Sequence, residues 1–145
     1  MIRFEQVSKT YRGGFQALKN VSFQIEKGEM IFVAGHSGAG KSTVLKLIAG
    51  ITKPSSGKVW MNGRDIGSLN DNQIGFLRQH IGIVFQYHQI LFDRSVLQNV
   101  LLPLQIIGYG RTEAEKRARV AIAKVGLAGR ENADPVTLSG GEQQR

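Results

Sequence analysis

The chain has 145 residues, enough for one ordinary domain, and its 41% hydrophobic and 21% charged residues are typical of a globular protein. It contains no cysteine, which excludes a disulfide framework and a thiolate metal site. The net charge of +8 is not concentrated in a basic run with interleaved aromatic residues, so we expect a solvated or phosphate-binding surface and no nucleic acid partner. No apolar stretch is long enough for a membrane span or a signal peptide, and we expect a cytoplasmic location.

The first part of the chain alternates between strand patterns and one strand–loop–helix unit. Apolar residues alternate over residues 2–4 and 21–25, which predicts two half-buried strands. Residues 30–34 are apolar on both faces and predict a buried parallel strand. A helical segment follows from Lys41 and stops at Gly50, a typical glycine after a helix C-terminus.

Further along, local signals predict a hairpin, a strand and a long helix. Asn62 and Gly63 lie between short apolar runs, which favours a type I′ hairpin turn. Residues 81–85 predict a second buried strand, and Thr112 with Glu115 predicts a capping box at the start of an amphipathic helix. Antiparallel strands followed by strand–loop–helix units predict a mixed α/β domain.

The segment GHSGAGKST at residues 35–43 matches the pattern G-x-x-x-x-G-K-[ST]. Its glycines allow successive backbone N–H groups to turn toward a phosphate, and the following helix directs its positive end to the same point. In such a loop Lys41 reaches the β- and γ-phosphates and the Ser42 hydroxyl ligates Mg²⁺. Because the loop lies between a predicted strand and a predicted helix, it predicts a nucleotide site rather than a flexible glycine-rich turn. His36 lies in the variable part of the loop and is interpreted as a spacer.

Three further features suit a nucleotide site, and each has a simpler alternative. Tyr11 ends the first strand, where its ring can stack on adenine or be an ordinary strand aromatic. Gln86 follows a predicted strand, where it can reach Mg²⁺ or the attacking water or be a polar loop residue. The segment LSGGE at residues 138–142 offers a hydroxyl and glycine N–H groups at a helix start, as an anion site or a simple N-cap.

Taken in order, Tyr11, the phosphate loop, Gln86 and LSGGEQQR at residues 138–145 resemble the nucleotide-binding subunits of ABC transporters. The resemblance covers the whole chain. It implies a P-loop NTPase fold of the ABC type, with an N-terminal antiparallel β subdomain and a helical subdomain, incomplete at the C-terminus. The implied core spans residues 1–86, and the helical subdomain spans residues 87–145 and ends in the signature. Within the family the sequence is most similar to the cell-division subunits, whereas those for lipoprotein release, methionine uptake or macrolide export share the motifs less closely.

The same resemblance implies ligands and partners. The ligands are ATP and Mg²⁺, with Ser42 and Gln86 at the metal. Gln86 is also the one candidate for a catalytic role, as a sensor of the γ-phosphate and water. The residues implied around the nucleotide are Tyr11, Gly35, Ser37, Gly38, Ala39, Gly40, Lys41, Ser42, Thr43 and Gln86. The residues that a second copy contributes across an ATP-sandwich homodimer are Ser139, Gly140, Gly141 and Glu142. An integral membrane protein docks near residues 87–104, which places the subunit peripherally on the cytoplasmic face of the bacterial inner membrane.

The family pattern also includes an apolar strand ending in Asp-Glu and a later switch histidine, and these 145 residues contain neither. The segment ILFD at residues 90–93 leads into Arg94 instead of a glutamate, and all histidines precede the signature. Each missing group lowers the rate of phosphoryl transfer by about 10²- to 10³-fold. We therefore expect this chain by itself to be a poor, marginally stable ATPase with an exposed sheet edge and exposed apolar faces, as a truncated product, an incomplete sequence or a fragment.

Three functions remain open at this point. The chain represents an ATPase subunit that works with a membrane partner, or a module that binds nucleotide or the partner without hydrolysis. The third possibility, a general phosphate or nucleic-acid binder, rests on the net charge of +8 alone.

Overall fold

The computed structural model describes residues 1–85 and 89–145, which form two compact units, Met1–Ile83 and Val84–Arg145. The predicted boundary between residues 86 and 87 lies outside the described residues and stays a prediction. Over the described ranges, no helix combines the length and apolar character that a membrane crossing requires.

The first unit is built on a four-stranded antiparallel sheet with the strand order β2-β1-β3-β4. Its strands and helices are β1 (Ile2–Thr10), β2 (Gln16–Ile25), α1 (Lys41–Ile48), β3 (Ser56–Met61), β4 (Arg64–Asp65) and α2 (Asp71–Gln79). A short 3₁₀ turn, Ile66–Ser68, connects β4 to α2. The two strands predicted near the N-terminus are confirmed and pair with each other as β1 and β2.

The core of this unit joins the sheet to both helices. The rings of Phe4 on β1 and Phe23 on β2 stack with centroids 4.4 Å apart. Val59 on β3, Leu47 on α1 and Ile74 on α2 pack into the same buried cluster. Burial of each such side chain contributes about 1.5–3 kcal/mol, so this cluster holds α1, and with it the preceding loop, against the sheet.

Turn signals that depend on neighbouring residues were predicted correctly. Asn62 and Gly63 have φ of 48° and 80°, and Met61 pairs with Arg64 across them, as a two-residue hairpin with two positive φ values requires. The predicted helix after the phosphate loop is confirmed as α1, and Gly50, with φ of 61°, follows its C-terminus.

The buried strands predicted at residues 30–34 and 81–85 are wrong. Neither segment pairs with a strand in the described part of the chain, and both carry exposed apolar side chains. Phe32 is 85% exposed and Val84 is 94% exposed. A parallel strand is buried only when neighbours cover it on both sides, and the sheet that these residues form includes neither segment. The exposed apolar side chains of these two segments agree with the expectation that this chain by itself exposes apolar faces.

The second unit is helical over its described residues. Its helices are α3 (Val96–Ile107), α4 (Arg111–Lys124) and α5 (Gly140–Gln144), with a 3₁₀ turn at Pro135–Thr137 before α5. Leu97 of α3 and Ala118 and Ile122 of α4 form a buried cluster with Leu127 and Leu138. The chain leading into α5 is therefore packed against the α3–α4 pair.

The capping box predicted at Thr112 and Glu115 is wrong. Helix α4 begins two residues earlier than a cap at Thr112 requires, with Gly110 at the N-cap and no side-chain cap among the described atoms. Thr112 lies inside the helix, and Glu115 instead forms an ion pair with Arg119 at 2.8 Å. Because Gly110 has extended backbone angles next to a glycine-containing turn, the helix starts there without a hydroxyl cap.

Candidate nucleotide-binding site

Glycine conformation shapes the phosphate loop, residues 35–42. Gly35, Gly38 and Gly40 have φ of 151°, 81° and 90°, so all lie in the region that favours glycine. At Gly40 a side chain is also excluded by its neighbours, because an added Cβ would stand 2.5 Å from the Ala17 carbonyl oxygen and 2.7 Å from Leu18 Cδ2. The loop therefore curls directly against β2 before α1 begins.

Lys41 extends back over this loop. Its Nζ donates hydrogen bonds to the carbonyl oxygens of Gly35 and His36, each at 2.7 Å. These two bonds hold the ammonium inside the curl, where it adds a positive charge to the loop. The His36 ring nitrogen lies 2.8 Å from the Ser37 carbonyl oxygen, a contact within the loop that agrees with its interpretation as a spacer.

The N-terminus of α1 suits an anion. Gly40 is its N-cap, and among the described residues no side chain caps the first turn and no acidic residue lies in it. The first N–H groups of a helix lack partners within the helix and carry a partial positive charge. With the Lys41 ammonium and the exposed Ser42 hydroxyl, this end of α1 presents donors and positive charge that match a phosphate group.

The residues present also fit a Mg²⁺ ion that is held jointly by the protein and by the phosphates of a nucleotide. The Ser42 hydroxyl is a hard oxygen ligand of the type that Mg²⁺ prefers. Residues 1–85 and 89–145 contain no group of three or more His, Cys, Asp or Glu side chains that would hold a metal. Mg²⁺ commonly binds through a few protein ligands together with substrate phosphates, which is the arrangement that this loop permits. Gln86, the other predicted metal ligand and γ-phosphate sensor, lies outside the described residues.

Tyr11 lies beside the phosphate-loop helix. Its hydroxyl is 3.2 Å from Oγ1 of Thr43, the third residue of α1. The Lys9 ammonium stands over the Tyr11 ring, 5.3 Å from its centroid, and the Tyr11 N–H donates to the Phe15 carbonyl oxygen at 2.9 Å. The fold thus brings the predicted aromatic to the predicted phosphate site, and its stacking on adenine stays a prediction. No sequence pattern predicts the contact with Thr43, because 32 residues separate the two side chains.

The signature residues form the start of a short helix in the second unit. The Ser139 hydroxyl accepts a hydrogen bond from the Glu142 N–H at 3.3 Å and donates one to Glu142 Oε2 at 2.7 Å. This capping box matches the simple N-cap that was the alternative to an anion site, and the role of Ser139, Gly140, Gly141 and Glu142 in a second copy stays a prediction. The Ser139 hydroxyl, with the Ser139 N–H, holds the pKa of Glu142 below its usual value.

A glycine-rich loop whose lysine bonds back to loop carbonyl oxygens, followed by an uncapped helix, is characteristic of phosphate-loop nucleotide-binding proteins. The family model described as ABC transporter matches residues 18–145, and the chain belongs to this family. The predicted resemblance is thereby confirmed.

Comparisons with individual proteins agree. The chain is 53% identical over 145 residues to the cell division ATP-binding protein FtsE of Escherichia coli (strain K12), covering 100% of this chain and 65% of FtsE. It is 44% identical over 148 residues to the methionine import ATP-binding protein MetN of Geobacillus kaustophilus (strain HTA426), covering 100% of this chain and 43% of MetN. The chain thus spans less than two thirds of the length of either relative.

Solved structures give the same result for the fold. The dimeric structure of MJ0796, a bacterial ABC transporter cassette, is 36% identical, with a TM-score of 0.89 over 99% of this chain and 65% of that one. A second MJ0796 structure, a dimeric post-hydrolysis state bound to ADP and Pi, has a TM-score of 0.88 over the same shares. These neighbours confirm the predicted ABC-type fold.

Proposed function

We propose that this chain is the ATP-binding part of an FtsE-like ABC system, which couples ATP binding and hydrolysis to a membrane partner in bacterial cell division. The observation that carries the proposal is the phosphate loop, in which Lys41 Nζ is held 2.7 Å from two loop carbonyl oxygens at the uncapped start of α1. The 53% identity to FtsE supports the division role over the methionine-import role, since MetN is 44% identical.

ATP is the proposed ligand, with Mg²⁺ as its metal. The loop N–H groups and Lys41 would bind the phosphates, and Tyr11 would stack on the adenine. Ser42 and Gln86 would ligate Mg²⁺, which when bound neutralises charge on the phosphates. The solved relative bound to ADP and Pi supports a nucleotide at this site.

A second copy of the chain is the proposed source of the signature contacts. In this arrangement Ser139, Gly140, Gly141 and Glu142 of one copy would meet the γ-phosphate of ATP bound to the other. The dimeric form of MJ0796 supports the arrangement.

The proposed membrane partner is an FtsX-like integral membrane protein that docks near residues 87–104. The subunit would then lie peripherally on the cytoplasmic face of the bacterial inner membrane. The name of the relative FtsE supports the division role, and membership of the ABC transporter family supports pairing with a membrane protein. Hydrolysis is proposed for the assembled system, and residues 1–145 contain no Asp-Glu strand or switch histidine.

The test compares Lys41→Ala with Lys46→Ala in the protein as the cell makes it. Lys46 is exposed in the last turn of the same helix and serves as the matched control. We expect Lys41→Ala to lower ATP turnover by about 10²-fold or more and to weaken ATP–Mg²⁺ binding in equilibrium dialysis, because the variant lacks the charge that faces the phosphates. Lys46→Ala should match the parent protein. Equal binding and turnover in all three proteins would contradict the proposed ATP site.

The division role needs its own experiment. In a bacterium that lacks its own copy of this gene, the parent gene should restore normal division, whereas the Lys41→Ala gene should not. Copurification of an integral membrane protein with the parent protein, and its loss when residues 87–104 are altered, would support the proposed docking segment. Full division in the absence of the gene would contradict the role.

A further inference from the structure

We propose that Thr43 is a positioning residue for the nucleobase: its hydroxyl holds the Tyr11 ring at a fixed place relative to the phosphate loop. The inference rests on the proposed function, in which ATP binds at this loop and Tyr11 contacts adenine. It adds a role that the phosphate-loop pattern does not assign, since that pattern concerns the phosphates and Mg²⁺ alone.

Because Thr43 is buried, the hydrogen bond between its hydroxyl and the Tyr11 hydroxyl is important for stability. Thr43 is 7% exposed and is the one buried polar or charged side chain among the residues that the structure describes. A buried hydroxyl without a partner is destabilising, and the Tyr11 hydroxyl lies 3.2 Å away. Since Thr43 is the second residue after Lys41, this bond ties the aromatic ring to the helix turn whose N–H groups face the phosphate site.

Two further contacts hold the ring. Lys9 Nζ stands over one face of the Tyr11 ring at 5.3 Å, and the same ammonium donates to the Lys53 carbonyl oxygen at 2.7 Å. The Tyr11 N–H donates to the Phe15 carbonyl oxygen at 2.9 Å, which fixes the backbone at the end of β1. Tyr11 is therefore held by contacts at its backbone N–H, at one face of its ring and at its hydroxyl. In the proposed complex, adenine would stack on the ring face opposite Lys9.

This arrangement sets the separation between the base and the phosphates before a nucleotide binds. A ring that is already held loses less conformational freedom on binding, and this gain in affinity applies only to ligands that contact the ring and the loop together. We therefore expect Tyr11 and Thr43 to be energetically coupled for a nucleotide and uncoupled for a ligand that has phosphates but no base.

A double-mutant cycle tests the coupling in the protein as the cell makes it. Titration calorimetry with ADP and with inorganic pyrophosphate would compare the parent protein, Tyr11→Phe, Thr43→Val and the double variant. We expect each single substitution to weaken ADP binding about threefold to tenfold, the usual effect of one hydrogen bond, and the double variant to bind about as weakly as the weaker single variant. With pyrophosphate, the effect of Thr43→Val should be the same whether or not Tyr11→Phe is present.

Conservative replacement distinguishes positioning from a loss of packing. Thr43→Ser keeps the hydroxyl and removes a methyl group, so it should recover most of the ADP affinity that Thr43→Val loses. Thermal unfolding without ligand would verify that each variant is folded at the temperature of the titration. An affinity loss in Thr43→Ser equal to that in Thr43→Val would overturn the inference.

The remaining outcomes separate this inference from the proposed function. Independent effects of the two substitutions on ADP affinity, or equal coupling with pyrophosphate, would overturn the positioning role. The proposed ATP site would stand in that case if Lys41→Ala still weakens ATP–Mg²⁺ binding. If the parent protein binds neither ADP nor pyrophosphate, the proposed ATP site fails and the inference fails with it.

Discussion

Gly40 and Ala17 are in such close contact that an added Cβ on Gly40 would lie 2.5 Å from the Ala17 carbonyl oxygen. Ala17 belongs to β2, whereas Gly40 is the N-cap of α1 with φ of 90°. Both the contact with the sheet and the backbone angle therefore require glycine. This single residue fixes the distance between the sheet and the positive end of the helix.

We expect Gly40→Ala to lower the free energy of unfolding by about 2–5 kcal/mol, the sum of the costs of a left-handed alanine and of an overpacked contact. Gly38→Ala is the matched control, because Gly38 has a similar φ of 81° but open space around an added Cβ. Its expected cost is about 1–2 kcal/mol, from the backbone angle alone. Urea unfolding followed by the fluorescence of the single tryptophan, Trp60, measures both. Equal losses in the two variants would show that the contact with Ala17 has no effect.

The parts of the fold that sequence predicted correctly depend on near neighbours. The helix after the phosphate loop, its end at Gly50 and the turn at Asn62 and Gly63 each follow from side chains a few residues apart. The same holds for the loop pattern, which places Lys41 over its own carbonyl oxygens. These features form because glycine conformation and helix capping act locally.

The failures concern pairing at a distance. An apolar run such as residues 30–34 predicts a buried strand only if other strands cover it, and the run itself does not contain that information. The bond between Tyr11 and Thr43 is similar, since both residue types are ordinary in a strand and a helix. Gln6 and Asn20, both at φ of 48°, interrupt the register of β1 and β2, and no local pattern marked them. Packing between residues far apart in the sequence determines the pairing of the apolar run, the Tyr11–Thr43 bond and the register of the two strands.

The buried cluster of the first unit predicts that two phenylalanines of this unit contribute very differently to the free energy of unfolding. Phe4 is 1% exposed and stacks on Phe23, whereas Phe15 is 59% exposed in the turn between β1 and β2. Phe4→Ala should lower the free energy of unfolding by about 3–5 kcal/mol, because it leaves a cavity between the sheet and α1. Phe15→Ala, the control, should lower it by about 0.5 kcal/mol or less. Similar losses in urea unfolding would contradict the described core.

Asn99 predicts local order in the segment before α3. Its amide nitrogen donates to the carbonyl oxygens of Leu91, Arg94 and Ser95 at 2.9, 3.1 and 3.0 Å, and its Oδ1 accepts from the Leu91 N–H at 2.8 Å. Sequence patterns did not single out Asn99, because its partners are backbone groups. These bonds tie the start of the proposed docking segment to the helix.

We expect Asn99→Ala to lower the free energy of unfolding by about 1–3 kcal/mol and to speed hydrogen exchange at the Leu91 amide, which loses its acceptor. Gln105→Ala, an exposed change near the end of the same helix, is the control and should leave that amide unchanged. Hydrogen exchange measured by NMR gives both rates. An unchanged exchange rate at the Leu91 amide in Asn99→Ala would contradict the proposed role of the Asn99 hydrogen bonds.

The capping box at the signature makes a prediction about pH. The Ser139 hydroxyl, followed by the Ser139 N–H, holds the pKa of Glu142 below its ordinary value. A carboxylate whose pKa is lower in the folded state stabilises that state above the unfolded pKa, and the contribution is lost as the pH falls through the folded value. Helix α5 should therefore fray in acid over the range in which Glu142 takes up its proton.

Ser139→Ala should move this titration upward. The variant lacks the hydroxyl that donates to Glu142 Oε2, so the pKa of Glu142 should rise toward its ordinary value, and α5 should fray at a higher pH. Glu131 is an internal control, because backbone N–H groups of Glu131 and Gly129 lower its pKa and the substitution leaves them in place. Side-chain carboxyl ¹³C shifts followed by NMR across the acid range would report both groups in one experiment. A Glu142 titration that does not move, or one that moves together with Glu131, would mean that the Ser139 hydroxyl is not what holds the carboxylate.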